Sequence, residues 1–146
     1  MMARVTPIPT SALVLGVAGL IPFLGFAVLS LSGSDGGLGN VGLAPRTILS
    51  TYGAVIASFL GGIRWGAAAS GGTGGRDYVI AILPSLIAWA ALACPVPWDL
   101  RVLGLLVLGW GIVDLDLVRR GLVPSWLGRL RLVLSVVAGC ALLIAA

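Results

Sequence analysis

The chain has 146 residues, of which 59% are hydrophobic and only 10% charged, and its mean hydropathy is +1.13. Because water-soluble domains carry about 25% charged residues, this composition predicts an integral membrane protein. The charged groups are nine arginines and five aspartates, with no histidine. That excludes His-ligated haem, His-rich zinc or iron sites and Ser-His or Cys-His nucleophilic dyads. We therefore predict no catalytic residues, no metal and no cofactor.

An apolar segment over residues 11–31 predicts the first transmembrane helix. No charge lies between Arg4 and Asp35, and the apolar run has about the 20 residues that a bilayer core requires. A cleaved signal peptide is the alternative, but the run is longer than the usual h-region of about 7 to 15 residues. No clear cleavage site follows it. Pro22 within the segment predicts a kink.

Four more helices are expected, over about residues 46–69, 78–95, 100–118 and 124–146. A glycine-rich loop precedes the helix over 46–69, and the glycines over 70–75 end that helix. The prolines of "CPVPW" end the helix over 78–95. Pro84 predicts a kink in the third helix, with a broken helix at a binding site as the alternative. The sequence thus predicts one all-α domain over residues 1–146 that forms a bundle of five transmembrane helices.

The distribution of arginines predicts the orientation of this bundle. Five spans put the termini on opposite sides of the membrane. With Arg64 left out, the side that holds the N-terminus has six arginines and the other side has two. The six are Arg4, Arg76, Arg119, Arg120, Arg129 and Arg131, and the two are Arg46 and Arg101. The positive-inside rule then predicts a cytoplasmic N-terminus and a periplasmic C-terminus, in a multi-pass protein of the bacterial inner membrane. Loss of the first helix as a signal peptide would leave four spans and the same inner loops.

The predicted partners follow from the same pattern. The arginines are spread over short loops and form no single basic stripe, so no nucleic-acid partner is expected. A chain with almost nothing outside the bilayer contacts lipid first of all. Other membrane-protein subunits, or a second copy of the chain, are the further partners that we consider.

The second helix has a broad face of small residues. At 100° per residue, two adjacent ridges of the small-xxx-small type form on it, which would let another helix approach closely in lipid. One ridge contains Gly53, Ala57 and Gly61, and the other Ala54, Ser58, Gly62 and Gly66. Larger apolar residues, including Phe59 and Leu60, lie on the other side and suit lipid.

Arg64 rises from this packing face, about five residues from the cytoplasmic end of its helix. Asp114 of the fourth helix lies at a similar depth and shares a face with two glycines. We therefore predict an intramembrane Arg64–Asp114 ion pair, in which each charge makes the other tolerable at low dielectric. Asp116 is a possible second partner. The alternatives are that Arg64 snorkels to the headgroups without a pair, or that these residues form a proton or substrate site.

Tryptophans and cysteines give weaker indications. Trp65, at a predicted helix end, is typical of an interfacial belt, as are Trp98 and Trp126. Trp89 and Trp110 lie deeper, where they pack or line a pocket. Cys94 and Cys140 both fall toward the outer side and are expected to be unpaired thiols, with a disulfide as the alternative.

The segment "YGAVIASFLGGIRWG", residues 52–66, resembles the transmembrane protein 69 family, also described as domain of unknown function 3429. The resemblance continues through "GLIPF" at 19–23, "PSLIAW" at 84–89 and "PSWLGRLRLVLS" at 124–135, and so covers nearly the whole chain. Leu127 and Ser135 stand where the family usually has an aromatic residue and a threonine. The resemblance implies a small polytopic protein of bacterial inner membranes and mitochondria, and it supplies no established activity.

These observations lead us to expect a protein that is not an enzyme but an accessory, assembly or interaction protein of a membrane complex. Its small exposed surface and small-residue ridges suit helix association. The alternative is a small transporter, channel or ligand-binding protein that uses a semi-buried Arg64/Asp114 site. An intramembrane enzyme is the third and weakest hypothesis, because no pair of acidic or hydroxyl side chains has catalytic spacing.

Overall fold

The computed structural model describes residues 7–33, 43–71 and 74–146, and all regular secondary structure in these ranges is helical. This confirms the all-α class. Seven helices occur in the described ranges: α1 (Thr10–Ala18), α2 (Leu20–Leu31), α3 (Pro45–Gly71), α4 (Gly75–Leu92), α5 (Trp98–Val113), α6 (Leu115–Arg119) and α7 (Ser125–Ile144).

Two of the predicted helices are each divided by one residue. α1 and α2 form the predicted first helix, with an interruption at Gly19, about one turn before Pro22. A proline ring disturbs the turn that precedes it, so this position agrees with the predicted kink. α5 and α6 cover the predicted fourth helix and are separated at Asp114. α4 continues on both sides of Pro84, so it is not a broken helix.

Four helical segments of the described chain are long and apolar enough to cross a membrane: Thr10–Leu31, Pro45–Gly71, Gly75–Leu92 and Ser125–Ile144. α5 has 16 residues before its interruption, slightly fewer than the roughly 17 to 25 of a spanning helix. The molecule is therefore an all-helical bundle with several membrane-spanning segments. A fifth span through α5 stays a prediction.

α3 lies at the centre of the bundle, where it contacts α2, α4, α5 and α7, while α5 and α7 pack against each other. The fully buried core includes Phe23, Leu49, Leu100, Leu103 and Leu142. Apolar side chains also cover the outside, as expected where lipid and not water is the solvent.

Glycines mark two close helix crossings. A methyl group added to Gly61 of α3 would lie 2.1 Å from the backbone oxygen of Ala81 in α4. At the α5–α7 crossing, Gly104 and Gly139 each approach the backbone oxygen of the other, at 3.1 and 3.0 Å from the added carbon. No other residue type has room at Gly61, so this glycine sets the distance between α3 and α4.

The small-residue face of α3 is narrower than predicted. Its buried members are Gly53, Ala54, Ala57 and Gly61, whereas Ser58, Gly62 and Gly66 are exposed. Leu60, which we expected to face lipid, is buried in the core with Phe23. The reason is that α2 and α7 pack against α3, which the helical periodicity of α3 alone does not reveal.

Candidate functional site

A cluster of four charged residues occupies one end of the bundle, where the C-terminal part of α3 meets the start of α4 and α6. We call it the Arg64 cluster; it consists of Arg64, Asp77, Asp116 and Arg120. Arg64 is 2% exposed and Asp77 4%. The Arg64 Nε and Nη2 atoms donate to Asp77 Oδ1 at 3.2 and 2.9 Å, and Nη2 also donates to Asp116 Oδ2 at 3.0 Å.

Arg120 closes the cluster from the outside. Its Nη2 donates to Asp77 Oδ2 at 2.7 Å, and its Nη1 donates to Asp77 Oδ1 at 3.0 Å and Asp116 Oδ2 at 3.3 Å. Hydrogen bonds to Asp77 and Asp116 raise the pKa of the Arg120 guanidinium, which lies beyond the end of α6. The two arginines and two aspartates balance, so the cluster is neutral. Shared partners of this kind make a buried charge tolerable.

The α3–α4 crossing explains why Arg64 and Asp77 meet. Gly61 lies about one turn before Arg64, and Ala81, whose backbone oxygen it approaches, lies about one turn after Asp77. Because α3 and α4 run antiparallel through this contact, the next turn toward the end of the bundle brings the guanidinium against the carboxylate. The remaining donor of Arg64, Nη1, reaches the carbonyl oxygen of Val113 at 3.4 Å.

A second buried ion pair lies at the same end of the bundle, between α5 and α7. Arg131 Nη2 donates to Asp114 Oδ2 at 2.6 Å, and the two residues are 6% and 4% exposed. Asp114 Oδ1 and Arg131 Nε are buried without a hydrogen-bond partner among the described residues, and so is the Trp110 indole nitrogen. This pair therefore has hydrogen-bonding capacity that the described residues leave unused.

The prediction of a direct Arg64–Asp114 ion pair is wrong. Asp114 pairs with Arg131, and Arg64 pairs with Asp77 and with Asp116, the possible second partner. The helical projection gave the depth and direction of each side chain but not which helices are neighbours. Arg64 is buried and bound to two carboxylates, so it does not snorkel to the headgroups without a pair.

Sequence reasoning missed Asp77 and Arg131 as site residues. A signal for Asp77 was present, because a glycine-rich connection of a few residues joins α3 to α4. Helices joined by so short a connection are neighbours in space, so a charge near the end of one meets a charge near the start of the other. For Arg131 the sequence has no equivalent signal, since the pairing of α5 with α7 depends on the whole bundle.

Three of the five tryptophans, at positions 65, 89 and 110, have different surroundings. Trp65 is half-exposed and contacts Tyr78 edge to face, with ring centroids 4.8 Å apart. Trp89 is exposed on the outer surface, whereas Trp110 is buried in the core. None of the three lines either of the cavities described below.

The opposite end of the bundle has a third ion pair. Arg46 at the start of α3 donates to the Asp99 carboxylate at the start of α5, and its Nη1 donates to the carbonyl oxygen of Ala145 at 2.9 Å. Cys94 is half-buried and Cys140 exposed, and both are free thiols. The start of α3 and the end of α7 are thus held together far from the Arg64 cluster.

A polar cleft of about 350 Å³ opens onto the Arg64 cluster, lined also by Gly74 and Arg76. Arg76 is exposed and has no ion pair with a described residue. The cleft therefore carries one uncompensated positive charge beside the neutral cluster. Such a site can hold an anion at the surface of the bundle.

The helical spans, the apolar outer surface and the buried ion pairs define a multi-pass helical membrane protein. The family described as protein of unknown function (DUF3429) matches residues 8–146, and the chain belongs to this family. This confirms the resemblance found in the sequence.

Among curated proteins, the chain is similar to transmembrane protein 69 of Xenopus tropicalis, with 36% identity over 135 residues. The alignment covers 89% of this chain and 51% of the relative, so the chain spans about half the length of that protein. No solved structure matches the chain.

Proposed function

We propose that the protein is a non-enzymatic accessory or assembly subunit that binds a transmembrane helix of a partner through the outer face of α3. The observation that carries this proposal is the exposure of Ser58, Gly62 and Gly66 on that face. A carbon added to Gly62 or Gly66 would meet no atom within 4 Å. These residues form a small-xxx-small ridge, which is the surface that helices use to approach one another in lipid.

Packing inside the chain supports this use of the ridge. The adjacent ridge with Gly53, Ala57 and Gly61 is buried against neighbouring helices, so α3 already associates through residues of this type. Contact with lipid alone does not require small residues, since acyl chains pack well against leucine or isoleucine. The exposed ridge is therefore a suitable binding surface for one more helix, from another protein or from a second copy of the chain.

The test is recovery of partners from membranes in mild detergent, with the tagged protein at native expression. We expect the wild-type protein to bring down a stoichiometric membrane partner or a second copy, and the Gly62→Leu/Gly66→Leu variant to lose it. Gly109→Leu is the matched control, because Gly109 of α5 is also exposed with open space around it. Equal recovery by all three proteins would refute the proposal, provided that their unfolding temperatures are equal.

The second candidate is a small transporter, channel or ligand-binding protein, which the polar cleft at the Arg64 cluster favours. Its expected ligand is a small anion, because Arg76 adds a positive charge to a neutral cluster. Phosphate or sulfate should then raise the unfolding temperature of the wild-type protein but not that of Arg76→Gln. Arg101→Gln, an exposed arginine of α5, is the control, and an equal response of all three proteins would remove this candidate.

We also propose five spans, a cytoplasmic N-terminus and a location in the bacterial inner membrane. The positions of the arginines support the orientation, since the Arg64 cluster and Arg131 lie at one end of the bundle and the Arg46–Asp99 pair at the other. For the fifth span, α5 and α6 together extend from Trp98 to Arg119.

Native thiols offer a direct test of this topology. In the Cys140→Ser variant, Cys94 is the single cysteine and should react with a membrane-impermeant maleimide in intact cells. An Arg76→Cys variant of the cysteine-free chain should react only after permeabilisation. If the cysteine at position 76 reacts in intact cells and Cys94 only after permeabilisation, the orientation is the reverse of the proposed one. If both cysteines react in intact cells, the proposed topology is excluded.

A further inference from the structure

An apolar cavity of about 330 Å³ lies between the α1–α2 segment, α3 and α7. This volume is near the lower end of the range for small-molecule sites, about 300 to 1,000 Å³. On one side it is lined by Ala12 and Phe23, and on α7 its lining extends from Trp126 to Ala138. Leu15, which also lines the cavity, is largely exposed on the outside of the bundle. The cavity therefore borders the region that acyl chains occupy.

Two polar residues of α7 line this otherwise apolar space. Arg131 and Ser135 are four residues apart, on one face of the helix, and are 6% and 4% exposed. Within the described part of the chain, neither Arg131 Nε nor the Ser135 hydroxyl has a hydrogen-bond partner. Buried donors are rarely left unsatisfied, so the unused Arg131 Nε indicates an acceptor from outside the described residues. The Ser135 hydroxyl is a second donor on the same lining.

The charge at this site selects the kind of acceptor. Arg131 is already neutralised by the Asp114 carboxylate at 2.6 Å, so an anionic ligand would bring a second negative charge close to Asp114. An uncharged carbonyl oxygen accepts the same hydrogen bonds without this repulsion. In a bilayer, the most abundant carbonyl joined to a long apolar chain is the ester group of a glycerolipid.

The shape of the cavity fits this chemistry. Trp126, at the start of α7, is of the type that lies at the level of the headgroups. From Trp126 to Ala138 the helix rises by about 18 Å at 1.5 Å per residue, which is a direction and length suited to part of an acyl chain. We propose that the cavity binds one acyl chain of an ester-linked glycerolipid, whose carbonyl oxygen accepts hydrogen bonds from Arg131 Nε and the Ser135 hydroxyl.

The test compares two competitors in proteoliposomes that contain a photoactivatable diester phosphatidylcholine. One competitor is the unlabelled diester lipid, and the other is the dialkyl ether lipid of equal chain length, which lacks both carbonyls. We expect the diester to compete about tenfold better, as one hydrogen bond to a charged donor would give. In Arg131→Lys, which keeps a cation for Asp114 but has no Nε donor, this preference should largely disappear, and in Ser135→Ala it should decrease.

Filling the cavity gives a second readout that does not depend on Arg131. Ala12→Phe should greatly reduce labelling of α7, whereas Ala18→Phe should leave it unchanged, since Ala18 is exposed on the same helix and lies outside the cavity. Equal competition by the ester and ether lipids in the wild-type protein would overturn the proposal. So would labelling that Ala12→Phe does not change, or more effective competition by a free fatty acid, which would indicate an anionic ligand.

Discussion

Arg64 and Arg131 are both deeply buried at the same end of the bundle, yet their surroundings differ. All three nitrogen atoms of Arg64 donate hydrogen bonds, and its main partner Asp77 is shared with Arg120. Among the described residues Arg131 has a single ion pair, with Asp114, and the pair leaves one donor and one carboxylate oxygen unused. Two arginines of similar burial thus belong to a closed network in one case and to an open site in the other.

This comparison predicts its largest effect for removal of Arg131. In Arg131→Leu, Asp114 is left buried without an ion-pair partner, and we expect the free energy of unfolding to fall by about 3–5 kcal/mol. In Arg64→Leu, Asp77 keeps Arg120, so the loss should be smaller, at about 2–3 kcal/mol. Reversible unfolding in mixed micelles measures both.

The double variant Arg131→Leu/Asp114→Leu serves as the control for this prediction. Removing both charges leaves no unpaired group, so the double variant should be more stable than Arg131→Leu alone. If the losses of Arg131→Leu and Asp114→Leu simply add, the pair does not interact as the structure indicates. A larger loss for Arg64→Leu than for Arg131→Leu would reverse the comparison.

The surroundings of Arg64 show which parts of the structure can be predicted from the sequence. Helix positions depend on local hydropathy, glycine and proline, and so the segments 46–69 and 124–146 agree with α3 and α7 within a few residues. The packing side of α3 also follows from its period, since Gly53, Ala57 and Gly61 are buried with Arg64. The ion-pair partners do not follow, because a single chain does not reveal which helices are adjacent.

The interruption at Asp114 gives a similar lesson. The segment 100–118 has the composition of a continuous helix, yet it is divided at Asp114, whose carboxylate binds Arg131 of α7. The width of the small-residue face of α3 was overestimated for the same reason. Composition selects the helices, whereas the choice of neighbours decides which of their polar groups are satisfied.

The next largest effect concerns the crossing that places Arg64 beside Asp77. Gly61→Ala puts a carbon 2.1 Å from the Ala81 backbone oxygen, and forcing the helices apart should destabilise the protein by about 1–3 kcal/mol. Gly62→Ala is the adjacent control, with open space and an expected change of about zero or a slight stabilisation. Equal effects of the two variants in thermal unfolding would contradict the close α3–α4 contact.

Within the Arg64 cluster, the two aspartates should differ in importance. Asp77 has a side chain only 5% exposed, while that of Asp116 is 50% exposed. Asp77→Asn should therefore lower the free energy of unfolding by about 1–3 kcal/mol, since both arginines lose an ionised acceptor. Asp116→Asn should lower it by less than about 1 kcal/mol. The double variant Asp77→Asn/Arg120→Gln tests whether the Asp77 and Arg120 charges interact. If the losses of unfolding free energy in the two single variants add strictly in the double variant, Asp77 and Arg120 do not share a network.

The smallest expected effect is at the opposite end of the bundle, at the Arg46–Asp99 pair. Its side chains are 23% and 13% exposed, so water and salt screen it more than the Arg131–Asp114 pair. A double-mutant cycle with Arg46→Gln and Asp99→Asn should give a coupling of about 0.5–1 kcal/mol.

The Arg46–Asp99 coupling should decrease between 0.1 and 1 M salt, as the Debye length falls from about 10 to 3 Å. The corresponding Arg131–Asp114 coupling should stay nearly constant, because ions do not enter a buried pair. If both couplings respond equally to salt, Arg131 is open to water, and its unused donor would be satisfied there and not by a ligand.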